Sequence, residues 1–185
     1  MKAILFDFDY TLGDTTNGIV LSAQYALEQM GEEERTYEEI KKTIGLSLSE
    51  TYKKLTGNMD EARADRFFDL FKEKADEVMV DSATLYPGVK EMLVILREQG
   101  YRLGIVTTKF AYRVQNIMKK FDAEDLFDVI IGVGDVIKVK PDPEGLLLAV
   151  ERLGVKKEDV LYVGDSFVDA KAAEAAGMKF AGVLT

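Results

Sequence analysis

Short apolar runs alternate with longer amphipathic segments along most of the chain. Five of these runs lack the polar alternation of a half-exposed strand, which is typical of strands buried on both faces. They are Ala3 to Phe8, Arg102 to Val106, Val129 to Ile131, Val160 to Val163 and Phe180 to Val183. Strands that alternate with helices predict βαβ units and a parallel sheet with right-handed crossovers. We therefore expect an α/β fold with a doubly wound, Rossmann-like core.

The segments between the runs show helix punctuation. Between Pro87 and Gly100, apolar residues recur at three- and four-residue spacing, with the proline expected in the first turn and the glycine at the C-terminal cap. Similar patterns end at Gly154 and Gly177. These segments predict helices that cover the faces of the sheet.

One stretch, from about Thr15 to Ser82, breaks the alternation because it contains helical patterns and no convincing strand. Two Ser/Thr-x-x-Glu patterns, beginning at Thr36 and Ser47, fit capping boxes. We expect a small α-helical cap over residues 15–82, inserted into an α/β core made of residues 1–14 and 83–185. The following cap lysines are candidates for contact with an anionic substrate or for a merely solvated helix face: Lys41, Lys42, Lys53 and Lys54.

Four polar clusters accompany the buried runs. They are Asp7-Phe8-Asp9-Tyr10-Thr11, Thr107-Thr108-Lys109, Lys140-Pro141-Asp142-Pro143 and Gly164-Asp165-Ser166-Phe167-Val168-Asp169. In an open parallel sheet, ligands bind beyond the carboxyl ends of the strands, where the strand order reverses. Carboxylates, hydroxyls and a lysine gathered at such a place are what magnesium-dependent phosphoryl transfer requires.

Composition narrows the chemistry. The 185-residue chain has a formal charge of −9 and a pI near 4.7, which argues against nucleic acid or an anionic membrane as a partner. It has no cysteine and no histidine, so thiolate and imidazole chemistry are excluded. The first apolar stretch is too short for a signal peptide or a membrane span, and a cytoplasmic location is expected.

In their order, the four clusters resemble the signature motifs of the haloacid dehalogenase superfamily, with the spacing of its phosphoglycolate-phosphatase-like branch. The resemblance implies that the strands before Asp7 and Asp165 are neighbours and that both carboxylates bind one Mg²⁺. It also implies that Asp7 is the nucleophile, that Asp9 binds the metal through its backbone carbonyl, and that Asp169 is an outer or alternate ligand.

Further roles follow for the remaining polar groups. Asp9 lies two residues beyond Asp7 along an extended chain, on the same side, so it can protonate a leaving oxygen and then deprotonate water. A phosphate oxygen and a carboxylate ~4 Å apart repel by about 4 kcal/mol at an effective dielectric of 20. The resemblance implies that Lys140, together with the metal, cancels this repulsion. Thr107 is expected to bind phosphoryl oxygens, and Thr108 and Lys109 are weaker candidates at the rim.

The chain departs from the family pattern at two positions, with Tyr10 where glycine is usual and Gly13 where an apolar residue is usual. The resemblance implies a phosphatase acting on a small phosphorylated metabolite, because the related β-phosphoglucomutases use a cap histidine that this chain lacks, and the dehalogenases lack the second carboxylate that Asp9 supplies. Phosphoglycolate is the first candidate, followed by sugar phosphates, nucleoside monophosphates and pyrophosphate. A phosphotransferase and a non-catalytic phosphate-binding regulatory module stay open as alternatives. The sequence predicts no oligomeric state.

Overall fold

The computed structural model describes residues 1–184 and divides the chain into two compact units. One unit contains Met1–Asp14 and the chain from Leu85 onward, and the other contains Thr15–Thr84. No helix among residues 1–184 combines the length and the apolar character needed to cross a membrane. Each unit is described below by itself.

The first unit is built on a five-stranded parallel sheet, which confirms the α/β prediction. Its strands are β1 (Ala3–Phe6), β4 (Arg102–Phe110), β5 (Val129–Val133), β6 (Val160–Gly164) and β7 (Lys179–Gly182). Their order is β5-β4-β1-β6-β7, so the chain fills one side of β1 and then crosses to the other. The strand order therefore reverses between β1 and β6, which are hydrogen-bonded neighbours.

Four helices of this unit connect the strands. They are α5 (Val89–Glu98), α6 (Ala111–Lys120), α7 (Glu144–Leu153) and α8 (Phe167–Ala176). Helices α7 and α8 end at Gly154 and Gly177 as predicted, and both glycines adopt a left-handed backbone. Helix α5 differs from expectation, because its N-cap is the left-handed Gly88 and Pro87 lies before the helix. Buried apolar side chains of α7, α8 and the sheet form a continuous core.

The second unit is helical. It contains α1 (Thr16–Gln29), α2 (Tyr37–Lys41), α3 (Leu48–Thr56) and α4 (Glu61–Ser82). Both predicted capping boxes are formed, at Thr36 and at Ser47, where each hydroxyl accepts from the backbone three residues on. Two further short strands, β2 (Gly13–Asp14) and β3 (Thr84–Leu85), lie where the chain passes from one unit to the other.

Candidate active site

The first polar cluster begins at the carboxyl end of β1. The Asp7 backbone N–H donates to the carbonyl of Val163 on β6 at 2.8 Å, which ties the start of the loop to the sheet. The loop then turns tightly, and Tyr10 adopts a left-handed backbone with φ 57°. Glycine populates this region readily and a tyrosine does not, so the residue that departs from the family pattern occupies a strained turn. The turn leaves the carboxylates of Asp7 and Asp9 buried.

The sequence predicted that the second cluster follows the strand ending at Val106. In the structure β4 extends to Phe110, so the cluster lies inside the strand. Val106 pairs with Ile131 and Phe110 pairs with Val133, so three β4 residues oppose the single residue Gly132. The irregularity is a bulge, a feature that re-aims side chains beside many active sites. Within it, the Thr107 hydroxyl accepts from the Lys109 backbone N–H at 3.2 Å. Lys109, expected at a rim, is buried, and Thr108 is partly buried.

The third cluster supplies the central cation of the site. Lys140 Nζ lies 2.8 Å from Asp7 Oδ1 and 2.6 Å from Asp169 Oδ1. It also donates to the hydroxyl of Tyr162 at 3.0 Å. Burial alone would lower the pKa of Lys140, but the attraction of Asp7 and Asp169 outweighs it and leaves that pKa well above its ordinary value. Lys140 is therefore an ammonium ion held between two carboxylates.

Asp169 is fully buried and both of its oxygens accept hydrogen bonds. Oδ1 accepts from Lys140 and from Tyr162, the latter at 2.8 Å. Oδ2 accepts from the backbone N–H of Ser166 at 3.1 Å and from its hydroxyl, which forms the capping box of α8. A Cβ at Gly164 would lie 2.6 Å from the Asp169 side chain, so only glycine permits this approach. Burial raises the pKa of Asp169, but Lys140 and these hydrogen bonds hold it below its ordinary value.

Asp165 follows β6 and faces the end of β1. Its Oδ1 accepts from the Thr11 hydroxyl at 3.3 Å, and burial together with the nearby Asp169 raises the pKa of its carboxyl. Oxygens of Asp7, Asp165 and Asp169 lie within 4.8 Å of one another. The structure thus brings together the three carboxylates that the sequence placed at the ends of two different strands.

The donor set fits a hard divalent cation. Burial raises the pKa of Asp7 to about 7, and repulsion from Asp169 and Asp9 adds to the effect although Lys140 opposes it. Fully ionised, the four site aspartates would outnumber the lysines Lys109 and Lys140 by two negative charges. Oxygen ligands with this charge are the ones that Mg²⁺ prefers.

Two groups of the site were missed or undervalued at the sequence level. The hydroxyl of Tyr162, inside β6, contacts Lys140, Asp169 and the Val106 carbonyl. The sequence feature that could have indicated this role is a hydroxyl within an otherwise apolar strand. Lys109 Nζ lies 2.8 Å from Asp9 Oδ2, a pairing that depends on the bulge in β4.

Comparison with known proteins places the chain in a family. The model of the haloacid dehalogenase-like hydrolases matches residues 4–183. A phosphoglycolate phosphatase from Nitrosospira multiformis is 36% identical over 96% of this chain and 80% of its own length. The pyrophosphatase PpaX of Bacillus cereus is 34% identical over 99% of this chain and 83% of its own length.

Solved structures support the same family assignment. A protein from Bacteroides fragilis described as a haloacid dehalogenase-like hydrolase superimposes with a TM-score of 0.94 at 44% identity, covering 98% of this chain and 86% of that one. A predicted phosphoglycolate phosphatase from Haemophilus somnus has a TM-score of 0.88 at 28% identity, covering 98% and 84%. The chain therefore belongs to the haloacid dehalogenase-like hydrolases, in the phosphatase branch that resembles phosphoglycolate phosphatase.

Proposed function

We propose that this phosphatase hydrolyses a small phosphomonoester with Mg²⁺ through an aspartyl-phosphate on Asp7. The observation that carries the proposal is the buried ammonium of Lys140, 2.8 Å from Asp7 Oδ1, beside a cluster of three carboxylates. A lysine so placed keeps a phosphoryl group and a carboxylate nucleophile from repelling each other.

Two displacements at phosphorus make up the reaction. In the first, an Asp7 oxygen bonds to phosphorus, the bond to the leaving oxygen breaks, and Asp9 gives that oxygen a proton. In the second, Asp9 takes a proton from water, whose oxygen bonds to phosphorus as the bond to Asp7 breaks. Inorganic phosphate leaves, and both aspartates return to their initial states.

The other groups bind and orient. Asp7, Asp165 and the Asp9 backbone carbonyl would hold Mg²⁺, which neutralises phosphoryl oxygens when bound. Asp169 was expected to be an outer or alternate metal ligand. Its two oxygens already accept hydrogen bonds from Lys140, Tyr162 and Ser166. We assign it to holding Lys140 in place, as an outer partner of the metal site.

Two residues of the β4 bulge and the helical segment would contact the substrate. Thr107, in the β4 bulge, would donate its hydroxyl to a phosphoryl oxygen, with Thr108 a weaker candidate beside it. The helical segment of residues 15–82 would act as a cap that selects the substrate. The names of the relatives make phosphoglycolate and pyrophosphate the first substrates to test, followed by sugar phosphates and nucleoside monophosphates.

The experiment is phosphate release from a panel of these compounds, each with Mg²⁺ and with EDTA. We expect Mg²⁺-dependent turnover concentrated on one compound and its loss in Asp7→Asn. Asp125→Asn, on an exposed residue of the same unit, is the matched control and should keep full activity. Metal-independent turnover, or turnover retained by Asp7→Asn, would contradict the proposal.

A further inference from the structure

Lys109 owes its position to an unusual stretch of backbone. The β4 bulge sets the three residues 107–109 against Gly132 alone. A Cβ at Gly132 would lie 2.3 Å from the Lys109 carbonyl oxygen and 2.4 Å from the backbone nitrogen of Ala111. Only glycine allows this approach, because such distances are far inside van der Waals contact. The bulge and the glycine together determine where the Lys109 side chain begins.

The Lys109 side chain ends at Asp9. Nζ lies 2.8 Å from Asp9 Oδ2, and the two side chains are only 7% and 12% exposed. A buried, charge-assisted contact of this kind holds a carboxylate in one orientation far better than an exposed pair does. The contact also links two elements, because Asp9 belongs to the loop after β1 and Lys109 to the neighbouring β4.

We infer that Lys109 is a positioning residue, which orients the Asp9 carboxylate for its proton transfers to the leaving oxygen and from water. The inference rests on the proposed function, because it assigns Lys109 a task only if Asp9 is the acid and base. Proton transfer depends on hydrogen-bond geometry, and a displacement of about 1 Å can cost on the order of 100-fold in rate. Gly132 then acts through Lys109.

The dependence of the rate on the leaving group distinguishes a residue that orients the acid Asp9 from one that contacts the substrate. An alkoxide is a poor leaving group and needs the proton from Asp9, whereas 4-nitrophenolate leaves readily without it. The value of kcat/KM covers only the steps up to departure of the leaving group. A defect in the acid therefore lowers kcat/KM for an alkyl phosphate much more than for 4-nitrophenyl phosphate.

The experiment compares Lys109→Met with wild type on these two substrates at saturating Mg²⁺. We expect the loss of kcat/KM to be at least about tenfold larger for the alkyl phosphate. Lys109→Arg should recover part of the loss, because it retains a cation that can reach Asp9. Lys119→Met, which removes an exposed lysine of α6, is the matched control and should behave as wild type.

A second variant keeps the test decisive should Lys109→Met not fold, as judged by circular dichroism. Gly132→Ala forces the Lys109 backbone away and should reproduce the same selective loss. Equal losses for both substrates with a raised KM would make Lys109 a substrate contact and overturn the inference, as would unchanged kinetics. Wild-type protein that releases phosphate from neither of these substrates nor from any compound of the panel above would overturn the proposed function itself, and the inference with it.

Discussion

Asp7→Asn should make the metal-free protein more stable at alkaline pH, although it removes the proposed nucleophile. Burial, with repulsion from Asp169 and Asp9, raises the pKa of Asp7 from 3.8 to about 7. Between these values the native state keeps a proton that the unfolded chain has lost, so wild-type stability falls as the pH rises from about 4 to about 7. Asparagine is already neutral and can still accept from Lys140.

The size of the effect follows from the two pKa values. Each pKa unit is worth about 1.4 kcal/mol, so the ionised Asp7 destabilises the folded state by about 4 kcal/mol at pH 8. At pH 5.5, where the folded protein still holds most of the proton, the same comparison gives about 2 kcal/mol. The advantage of Asp7→Asn should therefore grow by about 2 kcal/mol between these conditions.

Urea unfolding in EDTA at both pH values measures this difference. Asp125→Asn serves as the control, because an exposed carboxylate should give no growing advantage. Adding Mg²⁺ at pH 8 should shrink the advantage, since the metal binds the ionised carboxylate of the wild type only in the folded state. If Asp7→Asn is no more stable than wild type at pH 8, or if the difference in stability does not change with pH, burial does not raise the pKa of Asp7 and this reasoning is refuted.

Two further predictions concern the same cluster. The apparent Kd for Mg²⁺, measured by calorimetry, should rise about tenfold for each pH unit below 7, because binding must displace one proton from Asp7; a flat profile would contradict this. Tyr162→Phe removes a hydroxyl bonded to Lys140 and Asp169, and should lower the free energy of unfolding by about 1–2 kcal/mol. It should also lower kcat more than it changes KM, and a variant with wild-type kinetics would show that Lys140 needs no help from Tyr162.

The central strands β1 and β4 were predictable because they are almost entirely buried and therefore appear as uninterrupted apolar runs. The expectation of burial on both faces is wrong for β7, where no residue is fully buried, because β7 is an edge strand of the sheet. The capping boxes at Thr36 and Ser47 were predictable for a similar reason, since both partners lie within four residues of each other. The resemblance implied that the strands before Asp7 and Asp165 are neighbours, and β1 and β6 do pair with each other, so the approach of these two carboxylates was expected.

The finer parts of the site depend on register, which composition and periodicity do not contain. The β4 bulge is visible only when its pairing with β5 is known, and it moves Lys109 from an expected rim into a buried contact with Asp9. Tyr162 looked like one more large residue of a buried strand. Its hydroxyl gains a role only because Lys140 and Asp169 arrive from elsewhere in the chain.

The central claim is that phosphate passes through a covalent intermediate on Asp7, and it can be tested by trapping that intermediate. Asp9→Asn should accumulate it from 4-nitrophenyl phosphate, because this leaving group needs little protonation whereas attack by water still needs the base. Borohydride reduction after rapid quenching converts an aspartyl-phosphate to homoserine, which peptide mass spectrometry locates. We predict homoserine at position 7, absent without substrate. Modification at another residue, or none during measured turnover, would contradict the account.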